Sequence, residues 1–330
     1  AKVRNCLKTS RNCRTDYEQN LLQQLFKIII IINRFLPHSK ELDLRFIQFK
    51  RKHDSRLRLG VVSSNGENFL ELSVKSCINN SMIKFIKQNI DKTELQNKIK
   101  QCEPEKMNDS IELLPPLLNP EKIVCIGLNY KGHCEEQKKE PPKEPMFFSK
   151  FASAIVGPKA PIKAHEITKK LDWEVELAVI IGKEAKRVSK KEAMDYVFGY
   201  TVAQDISARD WQKERNGGQF LIGKSMDTFC PLGPAIVHKS LIFDPYDLYL
   251  TCSVNGQLKQ KGNTKELIFR IDDIISQLSQ SITLKPGDII LTGTPAGVGM
   301  HRNPPEYLKP GDVVESEIQS LGKLVNPVVA

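Results

Sequence analysis

No stretch of the sequence reaches the roughly eighteen consecutive apolar residues that a membrane-spanning helix requires. The run from Ile28 to Ile32 is short and lies between Lys27 and Arg34. The chain carries a net charge of +10 at pH 7, yet it has no recognised nucleic-acid-binding motif. We therefore expect neither a membrane nor a nucleic acid as a partner, and the scattered positive charge favours small acidic metabolites.

The sequence also lacks any Cys-x-x-Cys pair among its eight cysteines. Single cysteines spread through a chain of 330 residues are typical of reduced thiols in an intracellular protein. The loop Gly293–Gly299 has neither the Gly-Lys-Ser/Thr of a phosphate loop nor the G-x-G-x-x-G of a dinucleotide site. Nucleotide binding is therefore not expected, although the backbone amides of this loop are suited to hold a carboxylate.

Residues 1–43 form a basic extension that is poor in acids, with Lys2, Arg4 and Lys8 near its start. This composition is typical of a mitochondrial presequence. We therefore expect a mitochondrial protein. The alternatives are a disordered or untranslated extension on a cytoplasmic protein.

Two further segments follow the extension, and they indicate an α+β fold that is mostly β. Residues 44–118 predict a small N-terminal domain with a turn at Ser64–Gly66 and a proline-rich linker at its end. Residues 119–330 predict many short strands with few helices between them, which argues against a doubly wound parallel sheet. The elements predicted in the small domain are Leu44–Phe49, Arg58–Val62, Phe69–Val74, Met82–Ile90 and Thr93–Cys102.

Three carboxylates indicate a metal site in the larger domain. The stretch 172–181 predicts a strand, and residues two apart on a strand point to the same face, so Glu174 and Glu176 project side by side. Asp205 follows a second predicted strand, Tyr200–Ala203. An oxygen-only donor set suits Mg²⁺, Mn²⁺ or Ca²⁺. The alternative is an edge strand with two solvated glutamates.

A candidate proton-transfer pair stands upstream of these acids. His133 and Glu136 are three residues apart, a spacing that brings them together on a helical turn. A carboxylate beside an imidazole fixes its tautomer and raises its basicity, as a general base requires. By spacing alone, a surface histidine with a nearby acid explains the pair equally well.

Basic and amide side chains downstream suggest a place for an anionic substrate. Lys224 near a metal-bound dicarbonyl would stabilise an enolate. Arg209 and Gln212 would grip a substrate carboxylate, with the guanidinium acting bidentately. The alternatives are a solvated loop lysine and a structural pair between Arg209 and Asp210.

An ordered series of motifs from Lys122 to the C-terminus resembles the fumarylacetoacetate hydrolase (FAH) superfamily. The motifs are Gly127-Leu-Asn-Tyr130-x-x-His133, Pro145-x-x-Phe148-x-Lys150, Glu174-x-Glu176, Asp205-x-Ser-Ala-Arg-Asp-x-Gln212, Gly223-Lys224-Ser-x-Asp-Thr-Phe-Cys-Pro-Leu-Gly-Pro234 and Lys285-Pro-Gly-Asp-Ile-Ile-Leu-Thr-Gly-Thr-Pro-x-Gly-Val-Gly299. The resemblance implies the mixed β-sheet roll of the FAH catalytic domain over residues 119–330, and a homodimer.

The resemblance also implies roles for individual residues. The implied metal ligands are Glu174, Glu176 and Asp205, and the implied lid dyad is His133 with Glu136. The residues expected on the substrate side are Tyr130, Arg209, Gln212, Lys224 and Thr294. One departure is that Asn129 stands where the parent hydrolases carry a further acidic ligand, which disfavours the parent reaction.

The implied activity is that of a divalent-metal-dependent enzyme that acts on small keto or dicarbonyl acids through a metal-bound enolate. Within the superfamily, the resemblance to a group of FAH domain-containing proteins implies oxaloacetate keto–enol tautomerisation. Acylpyruvate or fumarylacetoacetate-type C–C hydrolysis and oxaloacetate decarboxylation stay open, because all three reactions share the enolate. The alternative from another class is a catalytically silent binding protein.

Overall fold

The computed structural model describes residues 42–72 and 81–330. The basic extension predicted at residues 1–43 lies outside these residues except for its last two positions. Among the described residues, no helix is long and apolar enough to cross a membrane. The five cysteines that fall in the described part of the chain are free thiols.

Strands dominate the structure, and the α-helices are short. The strands are β1 Leu42–Arg51, β2 Asp54–Ser63, β3 Asn68–Glu71, β4 Glu105–Lys106, β5 Ile111–Leu114, β6 Ile123–Gly127, β7 Met146–Lys150, β8 Ile155–Val156, β9 Ile162–Lys163, β10 Leu171–Asp172, β11 Val175–Ile181, β12 Val197–Gln204, β13 Ser207–Ala208, β14 Cys230–His238, β15 Tyr249–Val254, β16 Gln257–Asn263, β17 Ile289–Leu291, β18 Val313–Ile318 and β19 Gly322–Val329. The helices are α1 Met82–Lys87, α2 Lys92–Lys100, α3 Lys131–Glu136, α4 Arg209–Lys213, α5 Phe220–Ser225 and α6 Ile271–Ser281.

The strands form one large mixed sheet, one smaller sheet and a two-stranded sheet of β10 and β13. The large sheet has twelve strands in the order β4-β3-β2-β1-β14-β12-β11-β17-β6-β7, with β5 and β8 paired to β1 and β14. The smaller sheet has the order β16-β15-β18-β19-β9. Most neighbours are antiparallel, but β6 and β17 run parallel. The prediction of a mostly β, α+β fold is confirmed.

The predicted small domain continues the large sheet. Its first strand, β1, pairs with β14 of the larger segment through Arg45 opposite Val237 and Phe46 opposite Ile236. Helix α1 packs on this junction, with the ring of Phe85 5.0 Å from that of Phe46. The elements predicted in this segment are present with ends shifted by a few residues, and the last two residues of the predicted strand Phe69–Val74 lie outside the described residues. The boundary near residue 118 stays a prediction.

The centre of the large sheet positions the acidic residues. Strand β11 is buried along its whole length, as expected of its β-branched and aliphatic residues, and it pairs with β12 and β17. Glu174 immediately precedes β11 and Asp205 immediately follows β12, and the register sets Val175 opposite Gln204. Because these neighbours are antiparallel, the two acids emerge at the same end of the strand pair.

The predicted strand 172–181 is interrupted where the site begins. Leu171–Asp172 pairs with β13 as a separate two-residue strand, and the long strand starts only at Val175. At the break, the backbone N–H of Glu174 donates to Gln204 Oε1 at 2.8 Å in place of a ladder hydrogen bond. A side-chain amide therefore satisfies the backbone at the point where the chain turns into the site.

Candidate active site

Three buried carboxylates converge at the end of β11 and β12. Glu174, Glu176 and Asp205 each offer an oxygen, and these atoms all lie within 4.8 Å of one another. The three side chains are buried, with Asp205 fully inaccessible. The predicted convergence of the acids is confirmed, and it follows from the period-2 alternation of the strand together with the antiparallel register.

Buried cations surround the carboxylates. Lys224 Nζ lies 2.7 Å from both Glu174 Oε2 and Asp205 Oδ2, so the ammonium bridges the two acids. Lys150 Nζ lies 2.5 Å from Asp205 Oδ1. Arg209 reaches Glu174 Oε1 at 2.7 Å through one terminal nitrogen. Buried charges of this kind require partners, and each of these side chains has one.

The pKa values in this cluster follow from burial and neighbouring charge. Burial opposes ionisation of Glu174, but Lys224 and Arg209 hold its pKa below the usual value. Burial, Asp205 and Glu174 together raise the pKa of Glu176 well above its usual value. Burial also opposes the charged form of Lys224, yet Asp205 and Glu174 raise its pKa above the usual value, so it stays an ammonium.

The donor set fits a divalent cation. Three carboxylates whose oxygens approach within 4.8 Å repel one another unless a proton or cation lies among them. Burial, and then the charges of Asp205 and Glu174, raise the pKa of Glu176, and Lys224 offsets these effects only in part. Hard cations with oxygen ligands supply the missing positive charge. Glu174, Glu176 and Asp205 are therefore residues that could hold a metal.

The glycine-rich loop holds carboxylates of the chain itself. The backbone N–H of Gly293 donates to Glu176 Oε2 at 2.7 Å, and that of Gly299 donates to Asp172 Oδ1 at 2.7 Å. Gly293 has φ +100°, and a Cβ there would come within 2.8 Å of Asn129 Cβ. The predicted capacity of these amides for a carboxylate is real, and protein side chains occupy it.

His133 and Glu136 form the predicted pair on helix α3. His133 Nδ1 lies 2.5 Å from Glu136 Oε1, and Glu136 Oε2 accepts a hydrogen bond from Gly297 N at 2.8 Å. The backbone at Gly297 has φ +103°, and a Cβ there would come within 2.2 Å of Lys259 O. Glycine is thus required at this position to present its N–H to Glu136.

The outer nitrogen of the histidine has a partner that the sequence did not indicate. Gln137 Nε2 lies 2.8 Å from His133 Nε2. If Glu136 holds the proton on Nδ1, the Gln137 amide donates to the free lone pair on Nε2. Gln137 therefore occupies the atom that a general base would use, and both residues line the same cavity.

His133, Glu174 and Glu176 line one small cavity of about 80 Å³. A water molecule needs roughly 10–15 Å³ on this measure, so the space suits a ligand of a few heavy atoms. The lining includes His133, Gln137, Glu174, Glu176, Arg209, Gln212, Lys224 and Thr294. The predicted catalytic and metal-binding side chains are thus brought together, except Glu136 and Asp205, which lie behind the lining.

The predicted substrate-side residues differ in how many of their polar atoms are already bound to other side chains. Arg209 donates through Nε to Asp172 Oδ2 at 2.8 Å and through a terminal nitrogen to Gln212 Oε1 at 2.9 Å. Together with Glu174, these partners occupy the guanidinium, and the alternative pairing with Asp210 is not formed. Asp210 instead accepts from Thr168 Oγ1 at 2.6 Å.

Thr294 lines the cavity and Tyr130 does not. The hydroxyl of Thr294 donates to Val175 O at 3.0 Å, which fixes the loop against β11. Tyr130 pairs through its backbone with Leu267, and its ring lies fully buried in the main hydrophobic core. The structure therefore places Tyr130 behind the cavity wall, where burial and the charge of Glu176 raise its pKa well above the usual value.

Two buried charged residues beside the site, Lys150 and Asp172, received no role in the sequence analysis. Lys150 is the last residue of β7 and is fully buried. Asp172 forms an ion pair with Arg209 and accepts hydrogen bonds from the backbone N–H groups of Gly299 and Met300. A lysine at an inward strand position was the available signal for Lys150. Asp172 had no local signal, because its partners lie 37 and 127 residues away in sequence.

Comparison with known proteins agrees with this geometry. Residues 122–329 match the family described as Fumarylacetoacetate (FAA) hydrolase C-terminal. The chain is 46% identical over 298 residues to oxaloacetate tautomerase fahd2, mitochondrial, of Xenopus laevis, covering 90% of this chain and 93% of that protein. It is 44% identical over 295 residues to human oxaloacetate tautomerase FAHD2A, mitochondrial, covering 89% and 94%.

A solved structure shows the same fold. The fumarylacetoacetate hydrolase of Exiguobacterium antarcticum superposes with a TM-score of 0.76 at 36% identity, covering 87% of this chain and 99% of that one. Fold, motifs and relatives thus agree, and the chain belongs to the fumarylacetoacetate hydrolase family. The predicted family is confirmed.

Proposed function

We propose that this protein is a mitochondrial, divalent-metal-dependent enzyme that interconverts the keto and enol forms of oxaloacetate. The observation that carries the proposal is one small cavity lined by His133, Glu174, Glu176 and Lys224. The names of the Xenopus and human relatives support both the substrate and the location. The basic composition of residues 1–43 also supports the location.

We assign the metal to Glu174, Glu176 and Asp205, with Mg²⁺ first and Mn²⁺ or Ca²⁺ as alternatives. Carboxylate oxygens are the ligands that these hard cations prefer. A bound divalent cation would supply Lewis-acid polarisation of the substrate's carbonyl oxygens. Lys224 contacts two of the three ligands, so we expect its ammonium to shift toward the cavity when the ligands hold a metal.

His133 is the proposed proton carrier. Glu136 holds Nδ1, which leaves Nε2 to accept a proton from the substrate carbon beside the keto group or to return it there. Gln137 contacts the same nitrogen at 2.8 Å and must be displaced by the substrate. In the enol-to-keto direction, His133 Nε2 takes the proton that the enol oxygen loses and gives it to the carbon, so the substrate keeps its composition and the histidine returns to its starting state.

Lys224 supplies the positive charge for the developing enolate oxygen. It is a buried ammonium whose pKa is raised by Asp205 and Glu174, and it lines the cavity. Arg209 orients Glu174 and Gln212 through its three contacts. We therefore assign Arg209 to positioning, and Gln212 to substrate contact through its amide.

Hydrolysis of a C–C bond is the second candidate, and oxaloacetate decarboxylation shares the enolate. The solved relative from Exiguobacterium antarcticum is a fumarylacetoacetate hydrolase, which supports hydrolysis. Asn129 disfavours it, because its amide donates to Thr292 O and Phe269 O and accepts from Phe269 N. An amide so engaged provides no further ligand. A silent binding protein is disfavoured by the assembled cavity.

The deciding experiment follows enol-oxaloacetate by ultraviolet absorbance with Mg²⁺, with a chelator and without protein, while pyruvate is quantified. The tautomerase predicts metal-dependent loss of the enol without pyruvate. Release of pyruvate would identify a decarboxylase instead. If neither reaction is accelerated, cleavage of acylpyruvates is tested next, and failure there would support the silent binding protein.

We also propose that the protein is a homodimer that binds neither nucleic acid nor membrane. Exposed apolar side chains support an interface between copies, among them Tyr249 and Leu258 on the smaller sheet, at 51% and 55% exposure. Light scattering coupled to size exclusion tests the proposal. A mass of 37.4 kDa at micromolar concentration would contradict the dimer.

A further inference from the structure

Two lysines at the mouth of the active-site cavity differ from its other cationic side chains in their ion pairing. Lys139 and Lys213 both line the cavity, and both side chains are exposed at its rim. Neither ammonium forms an ion pair with a carboxylate among residues 42–72 and 81–330. The rim therefore carries two positive charges that the described part of the protein does not neutralise.

The inner cations are already engaged with acids of the chain. Lys224 bridges Glu174 and Asp205, and Arg209 binds Asp172 and Glu174. An anionic ligand that enters the cavity thus finds its free positive charge at the rim. The inner wall instead offers a place for a chelating group beside the three acids.

The fold fixes both lysines at the mouth. Helix α3 ends in a Schellman arrangement, in which Lys138 has φ +53° and its N–H donates to Glu135 O at 2.9 Å. The next N–H, from Lys139, donates to Cys134 O at 3.0 Å. Lys139 therefore leaves the lid helix with a defined backbone. Lys213 is the last residue of α4, one turn after Arg209.

An aromatic wall orients the second lysine. Lys213 Nζ lies 5.3 Å from the centre of the Phe220 ring, within cation–π range. Phe220 packs edge-on against Phe148, whose ring faces Lys224 at 5.1 Å. The two adjacent rings thus separate a rim ammonium from an inner ammonium. A short ligand with charge at both ends matches this separation.

The ammonium of Lys213 lies among like charges, and a bound anion would stabilise it. Although the side chain is exposed at the rim, partial burial of the ammonium lowers its pKa to about 8, with further lowering by Lys139, Arg209 and Lys224. Glu174 raises the pKa, with an effect smaller than those of burial, Lys139 and Arg209. A bound carboxylate would relieve this repulsion between like charges.

We propose that Lys139 and Lys213 form a subsite for the distal carboxylate of a dicarboxylic keto acid, so that the enzyme selects dicarboxylates over monocarboxylates. This inference rests on the proposed function, because it takes the keto acid end of the substrate to lie beside Glu174 and Glu176. The lysines would act in binding and selection, and the proton transfer would stay with His133.

The first test compares substrates with one and two carboxylates. We expect the double variant Lys139→Met with Lys213→Met to raise KM for enol-oxaloacetate about tenfold or more, as loss of a charge-assisted contact predicts. KM for enol-phenylpyruvate, a monocarboxylate, should change less than twofold, and kcat for oxaloacetate should change little. The matched control is Lys143→Met, an exposed lysine of the same loop outside the cavity lining.

The second test measures binding without turnover, by calorimetric titration of the Mg²⁺-supplemented protein with succinate and with butyrate. We expect succinate to bind at least tenfold more tightly, and the double variant to lose this difference. If that holds while oxaloacetate is not turned over, the subsite stands and the proposed function fails. If the double variant loses affinity for succinate and for butyrate equally, or for neither, the subsite is overturned even if oxaloacetate is turned over.

Discussion

The acids carried by strands β11 and β12 (the strand-borne half of the site) and the pair carried by helix α3 (the lid-borne half) differ in how firmly the fold holds them. Glu174, Glu176 and Asp205 leave neighbouring strands of a buried sheet, and each is held by a cation or a backbone amide. His133 and Glu136 lie on α3, which has only six residues. So short a helix is not stable by itself. Its position depends on a few contacts, among them the hydrogen bond from Gly297 N to Glu136.

This difference separates the tasks of the two halves. The strand-borne half concentrates negative charge in a rigid place, where it suits a cation. The lid-borne half carries the proton-transfer pair and one rim lysine, all within seven residues of chain. Changes to the strand-borne half should therefore abolish metal binding and activity together, whereas changes to the lid should leave metal binding intact.

The largest effect is expected for Glu174→Gln. The change removes one of three charged donors and leaves Arg209 and Lys224 short of a partner, so we expect kcat/KM to fall more than about 10³-fold. Mg²⁺ affinity, measured by calorimetry, should fall in parallel. Glu317→Gln, at an exposed position of β18, serves as the control and should match the unmodified protein. Full activity in Glu174→Gln would show that the ligand assignment is wrong.

The lid pair should show a graded loss with normal metal affinity. His133→Asn removes the proton carrier, and we expect kcat to fall about 10²–10⁴-fold. Glu136→Gln keeps the imidazole but weakens its orientation and its link to Gly297, and we expect a loss of about 10–10²-fold. Single-turnover rates and Mg²⁺ titrations check both. Loss of Mg²⁺ binding in either variant would contradict the division of tasks.

A smaller effect is expected from pH at the rim. The free enzyme holds Lys213 with a pKa of about 8, and only the protonated form attracts a carboxylate. As pH rises through this value, KM for oxaloacetate should rise by at most tenfold per pH unit. Lys213→Arg keeps the charge and should flatten the profile. The groups that face Lys213 are Lys139, Arg209, Lys224 and Glu174. An unchanged profile in Lys213→Arg would assign the titration to another group.

The smallest effect tests the rigidity of the strand-borne half. Thr201 lies in β12, fully buried, and its hydroxyl has no hydrogen-bond partner among the described residues. Thr201→Val replaces that hydroxyl with a methyl group of similar size. We expect the free energy of unfolding to stay the same or rise by about 1 kcal/mol, with activity within twofold. Chemical denaturation checks this, and a marked loss of stability would reveal a hidden partner of the hydroxyl.

The sequence predicted the strand-borne half well because its signals are local. The spacing of Glu174 and Glu176 translates directly into a shared face, and Asp205 follows a recognisable strand. The i, i+3 spacing of His133 and Glu136 likewise predicted their contact. The shared face of the two glutamates and the contact of His133 with Glu136 need no knowledge of distant chain, whereas the approach of Asp205 also requires the pairing of β11 with β12.

What the sequence did not reveal depends on long-range contacts. Arg209 was expected to bind substrate, but Asp172 is 37 residues away and takes its Nε hydrogen bond. Tyr130 precedes the lid, yet its backbone pairing with Leu267 turns the ring into the core. The rim role of Lys213 emerges only when α3 and α4 meet at one cavity. Charge and spacing along the chain contain none of this information.

The two oxygens of Glu136 link the position of α3 to the orientation of the His133 imidazole. One oxygen faces His133 Nδ1 and the other faces Gly297 N, so a single carboxylate both fastens α3 to the loop and sets the imidazole. Any outward movement of α3 that breaks the contact to Gly297 also frees Glu136 from its fixed orientation. The orientation of the His133 imidazole is thus coupled to the position of α3: Glu136 is set for its proposed role only while the contact to Gly297 holds, and both contacts are lost together when α3 moves away.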